Sequence, residues 1–100
     1  MSLYFDRQGV MFEMGFSDGR IHRGIVRLWH VDDGWGEVQS SDFADPIWVH
    51  YSTVDSASRG VLPNGFKQLL VGDHVELTVE HAEQDEYHLR ALWIKSTGGK

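Results

Sequence analysis

Within Ile47-Trp48-Val49-His50-Tyr51-Ser52, IWVHYS, residues Ile47 to Tyr51 read as a β-strand with two unlike faces. Side chains alternate along a strand, so Ile47 and Val49 share one face while Trp48 and His50 share the other. An aliphatic pair belongs in a core, and a tryptophan beside a histidine presents flat rings to solvent. Tyr51 has the parity of Val49, which turns its ring partly toward the core. Pro46 just before the run suits a strand's first residue, where no ladder N–H is needed.

Working outward, four more runs are rich in β-branched and aromatic residues: Ile25 to Trp29, Trp35 to Val38, His74 to Val79 and Tyr87 to Ile94. In the fourth of the five, Val75, Leu77 and Val79 alternate with Glu76 and Thr78. Turn signals separate the runs, among them Asp32-Asp33-Gly34, Ser40-Ser41-Asp42, Pro63-Asn64-Gly65, Gly72-Asp73 and Glu83-Gln84-Asp85-Glu86. No segment has helical periodicity. Five short strands with frequent turns predict an all-β domain, a small barrel or a sandwich. The stretch Asp55 to Gly65 is long for a hairpin and is expected to wrap across one end.

The two termini read differently. Val10 to Phe16 and Arg20 to Val26 flank Ser17-Asp18-Gly19 and are read either as an extra hairpin or as a disordered leader. Residues 1–22 are thus an N-terminal extension, residues 23–96 the main domain and residues 97–100 a flexible tail.

Composition bounds the function. A chain of 100 residues with 41% hydrophobic and 24% charged residues is expected to form one folded domain with a small core. It has no cysteine, which excludes disulfides, thiolate metal sites and a thiol nucleophile. No apolar run approaches the ~18 residues that span a bilayer. Asp6, Arg7 and Glu13 interrupt what a secretory signal would keep apolar, so a cytoplasmic protein without a membrane partner is expected. Fifteen acids against nine Lys and Arg give a formal net charge of −6, which repels phosphate backbones. The six histidines offset part of that charge when they take up protons.

The candidate chemistry lies in rings. Trp35 stands between Gly34 and Gly36, an arrangement that offers a large ring on thin backbone, and its strand neighbours the one that carries Trp48 and His50. Exposed aromatic platforms hold unpaired bases at ~1–3 kcal/mol each. The same rings also suit a second small core or a subunit contact, because exposed apolar patches mark protein interfaces as well.

Gly24-Ile25-Val26-Arg27-Leu28-Trp29, Gly34-Trp35-Gly36, Ile47 to Ser52, Gly65-Phe66-Lys67 and Gly72-Asp73-His74-Val75 together resemble the cold-shock domain in order and approximate spacing. The resemblance covers residues 24–95. Ile47 to Ser52 is similar to the family's Val-Phe-Val-His-Phe-Ser motif, and Gly34 to Val38 to the end of its Lys-Gly-Phe-Gly-Phe-Ile motif. It implies a five-stranded antiparallel Greek-key barrel of the OB type, here with an N-terminal extension, that binds single-stranded RNA or DNA. The matching binding residues are Arg27, Trp35, Trp48, His50, Tyr51 and Phe66. Of these, Trp35, Trp48 and Phe66 would stack on bases, His50 would stack or hydrogen-bond, Tyr51 would add its ring, and Arg27 would meet phosphate or base edges. A lone loop phenylalanine such as Phe66 also suits plugging one end of a barrel.

Three departures predict weaker binding than the resemblance implies. Leu28 replaces the family's exposed tryptophan, Asp33 its lysine and Glu37 a phenylalanine. Two lost rings remove about 2–6 kcal/mol of stacking if each held a base, and the acids add repulsion. Trp29 does not replace the ring lost at Leu28, because the next residue along a strand faces the other way. The competing reading is a protein-interaction or self-association module on the same barrel, including a homodimer through the N-terminal segment. His74, His81 and His88 recur at seven-residue intervals without the close pairing of metal ligands, so neither a metal nor another cofactor is expected. No nucleophile motif or phosphate-cradling loop points to an enzyme.

Overall fold

The computed structural model describes residues 3–5, 11–13 and 16–99. The described strands are β1 (Leu3–Phe5), β2 (Met11–Glu13), β3 (Phe16–Ser17), β4 (His22–His30), β5 (Trp35–Gln39), β6 (Ile47–His50), β7 (His74–Gln84) and β8 (Tyr87–Gly98). Each of the five anticipated runs holds a strand, β4 to β8, with β6 ending at His50, one residue short of the expected Tyr51. β8 continues through Thr97 and Gly98, with Gly98 opposite His74, where a tail was expected.

These five strands close into a ring. β4 pairs with β5, β5 with β6, β6 with β8, β8 with β7, and β7 again with β4. The expectation of a wholly antiparallel sheet is corrected at one seam, because β6 and β8 run parallel with Trp48 opposite Arg90. Simple parity explains it: a closed ring with an odd number of strands cannot alternate direction throughout, so at least one neighbouring pair must be parallel.

Most inward residues are those that period-two alternation selects; in β8 the parity shifts between Ala91 and Ile94, where Leu92 is an extra residue. Ile47 and Val49 of β6, Val38 of β5, Val75, Leu77 and Val79 of β7, and Leu89, Ala91 and Ile94 of β8 are buried together. The long segment after β6 folds back as expected and adds Val54, Leu69 and Val61 to this cluster. Its course is pinned to β8 by Trp93 Nε1, which donates to Asp55 Oδ2 at 2.9 Å, and by Ser96, whose hydroxyl donates to Asp73 Oδ2 at 2.8 Å. The Ala57 N–H and the Trp93 indole hold the Asp55 carboxyl below its ordinary pKa.

β4 carries a β-bulge. Val26 faces Val38 and Leu28 faces Glu37, so Arg27 is an extra residue without a partner of its own. The bulge reverses the parity of the residues after it. Val26 points into the core, Leu28 is exposed, and Trp29 packs against the core cluster as its position beside Leu28 predicts.

The hairpin reading around Ser17-Asp18-Gly19 is corrected. β3 and β4 both run antiparallel to β7, so the chain keeps its direction through residues 18–21. His22 fixes this passage: it is buried, with Nδ1 at 2.9 Å from Asp42 Oδ2 and Nε2 at 3.1 Å from Asp18 Oδ2. Asp18 therefore caps the local bend, and no strand reverses there; its carboxyl is held below the ordinary pKa first by the Arg20 N–H and also by His22. Of the proposed first arm, Val10, Met14 and Gly15 lie outside the described residues. β1 and β2 instead pair with each other, Leu3 opposite Glu13.

Candidate nucleic-acid interface

The outward side chains of β4, β5 and β6 bring a row of rings together. Trp35 at the start of β5 lies between His30 of β4 and His50 of β6, its cross-strand partners. Ring centroids are 4.4 Å apart for His30 and Trp35, 5.7 Å for Trp48 and His50, and 4.6 Å for His50 and Tyr51. Tyr87, opening β8 beyond the hairpin tip, meets Trp35 edge to face at 6.1 Å. The separations fall in the range of favourable aromatic contact, so the row is preorganised without being buried.

Tyr51 departs from its expected place. It begins a single 3-10 turn, Tyr51–Thr53, so strand alternation has ended and its ring is 47% exposed rather than partly core. Phe66 is 45% exposed and stands outside the core cluster. It shares a cleft of about 580 Å³ with Tyr51, Ser52, Lys67 and the Asp32-Asp33-Gly34 turn. Arg27 is exposed at its bulge and lines neither this cleft nor the groove beside Trp48.

The two glycines around Trp35 have been taken up by the protein's own rings. A Cβ at Gly36 would stand 2.2 Å from the Leu28 carbonyl oxygen and 2.5 Å from the Trp29 ring. At Gly34, with φ of +72°, it would stand 2.7 Å from the Tyr51 ring. Gly36 therefore seats Trp29 from within, and Gly34 seats Tyr51 from without. Thin backbone here positions rings rather than leaving room for a ligand.

Polar partners fix the ring orientations. His50 Nδ1 accepts the Ser52 N–H at 3.3 Å and lies 2.7 Å from the Ser52 hydroxyl. With Nδ1 accepting, the ring's donor is Nε2–H. Glu37, expected to be a free repulsive charge, accepts a hydrogen bond from the Tyr87 hydroxyl at 2.7 Å. Desolvation first, then this carboxylate, raise the Tyr87 pKa to about 12. Arg90 donates through Nε to Glu80, its cross-strand partner and a buried residue.

His30, Tyr87 and Arg90 join the face without having been singled out by the sequence reading. His30 could have been found by counting across the hairpin, since it ends the strand before the turn and Trp35 begins the strand after it. Tyr87 likewise comes directly after a turn. Arg90 carries no local signal, because a parallel seam between distant strands brings it beside Trp48.

Among the described residues no group of three His, Asp or Glu converges as a metal site, and no helix is long and apolar enough to cross a membrane. No protein-family model matches the chain, and no curated protein is significantly similar to it in sequence.

Proposed function

We propose that the chain is a cold-shock-like module, an OB-type Greek-key barrel that binds single-stranded RNA or DNA. The observation that carries this reading is the row of rings on one outer face, from His30 through Trp35 to His50, Trp48 and Tyr51. The ring of five strands, with its single parallel seam between the third and the last, supports the architecture. Bases stack on Trp35 and Trp48, the His50 ring adds to the stack beside Trp48, and Tyr51 with Phe66 walls a further site at the cleft. Arg27 meets the backbone at the bulge. Net charge keeps the affinity below that of a basic barrel.

Titrating tryptophan fluorescence with short single strands at low salt tests it. Quenching by at least one base composition is expected, and its absence for every composition rules the reading out. A second reading, a protein-interaction surface, draws on the exposed apolar residues Leu62, Phe66, Leu70 and Val71 of the long segment. Light scattering over a concentration series checks the self-associating form of it; a monomer throughout removes that form.

A further inference from the structure

Arg90 occupies an unusual position on an acidic molecule. Its Nε is tied to Glu80, whose exposure is 4%, while the Arg90 side chain itself is 42% exposed. A guanidinium offers five N–H donors in a rigid fork, of which Nε is one. Arg90 makes no other hydrogen bond among the described residues, so the terminal nitrogens remain available. The buried carboxylate thus holds the fork in place without consuming it.

That fork borders a groove of about 280 Å³ shared with Trp48, His50 and Leu92. Ser52 and Thr53 also reach the groove, but their hydroxyls are engaged: Ser52 with His50 Nδ1 at 2.7 Å, and Thr53 with the His50 carbonyl at 2.8 Å. What remains is a set of donors, the Arg90 terminal nitrogens and His50 Nε2–H, beside an indole face. Among the described residues no carboxylate lines the groove. An anion with several acceptor oxygens, attached to a flat ring, matches this chemistry.

We propose that Arg90 and His50 form a phosphodiester subsite, which takes the backbone phosphate next to the base stacked on Trp48. The proposal rests on the nucleic-acid reading of the face and deepens it: this is where an acidic barrel makes a phosphate contact. Arg90 acts on the ligand directly, and Glu80 is the positioning residue behind it.

The test is the salt dependence of binding to short single-stranded oligonucleotides, followed by tryptophan quenching. Combining Glu80→Gln with Arg90→Gln leaves the net charge unchanged and puts a neutral pair in place of the buried ion pair. Binding should weaken about tenfold at low salt, and the slope of log affinity against log salt should become shallower by ~0.7, the share of one phosphate on a single strand. Arg90→Lys, which keeps a cation beside Glu80 but has no fork, should weaken binding at low salt if the double variant does not fold by circular dichroism. A wild-type slope in the folded double variant, or an unchanged affinity in Arg90→Lys where the double variant does not fold, overturns the phosphate subsite and leaves the stacking face standing. No quenching of the wild-type protein by any strand takes both readings down.

Discussion

The two sides of β5 are held by different physics. Inward, Gly36 and Val38 meet the core through shape alone: Val38 is fully buried, and the missing side chain of Gly36 is filled by the Trp29 ring. Outward, Trp35 and Glu37 are held by directed contacts, ring to ring with His30 and Tyr87 and oxygen to hydroxyl with Tyr87. A close-packed face resists added volume, because neighbours cannot move without moving backbone. A face held by directed contacts can lose a side chain and stay folded.

The largest effect should therefore come from the inward side. Gly36→Ala drives a Cβ into the Leu28 carbonyl, which is backbone and cannot turn away. A loss of about 3 kcal/mol or more is expected, read from the denaturant midpoint. A loss below about 1 kcal/mol would show that the inner seat of Trp29 is loose. Gly34→Ala should be milder. Its φ of +72° costs a non-glycine residue about 1–2 kcal/mol, and the displaced neighbour is a half-exposed ring.

Outward substitutions should reverse the balance. Trp35→Ala and Trp48→Ala are each expected to cost about 1–3 kcal/mol of single-strand binding, while the melting temperature falls far less than it does for Gly36→Ala. The two measurements on one preparation separate the faces. If either tryptophan variant unfolds instead, the ring serves the fold, and the directed-contact picture of the outer face fails.

The sequence made the inner side easy to read and the outer side only half readable. Alternation alone places Ile47, Val49, Val75 and Leu77 in the core, because burial tracks parity wherever a strand is regular. It places Trp48 and His50 outside for the same reason. Parity misleads where regularity stops: Tyr51 leaves the strand for a 3-10 turn and swings outward. The Arg27 bulge is equally silent in the sequence, yet it sets which side Leu28 and Trp29 face. Ser17-Asp18-Gly19 looks like a hairpin turn, but His22 and the shared β7 edge keep the chain on course. The role of Glu37 was hidden because its partner Tyr87 lies fifty residues away along the chain. Such a pairing is set by ring closure, which no local pattern encodes.

Glu37 is the finer probe of the outer side. Glu37→Gln keeps an acceptor for the Tyr87 hydroxyl and removes one negative charge from the face. Single-strand affinity at low salt should rise about threefold and the gain should shrink as salt screens it. An unchanged affinity would place the bound strand away from β5. Glu37→Phe would add a ring but release Tyr87, so its gain should be smaller than the ring alone suggests.

The smallest effect concerns Tyr87 itself. Its hydroxyl pKa is raised to about 12, by desolvation and by the neighbouring Glu37 carboxylate. A pKa above the unfolded value of about 10 means that the protonated form is favoured by folding. The contribution is fully present below pH ~10 and is lost as the pH climbs from about 10 to 12. An ultraviolet tyrosinate titration should then show a late step near pH 12, and Tyr87→Phe should remove it. Glu37→Gln should bring the step to lower pH, because the coulombic part of the shift goes with the charge while the desolvation stays. A late step that survives Tyr87→Phe would belong to another tyrosine. The outer side of β5 would then be held by ring contacts alone, and its contrast with the inner side would narrow to one of exposure.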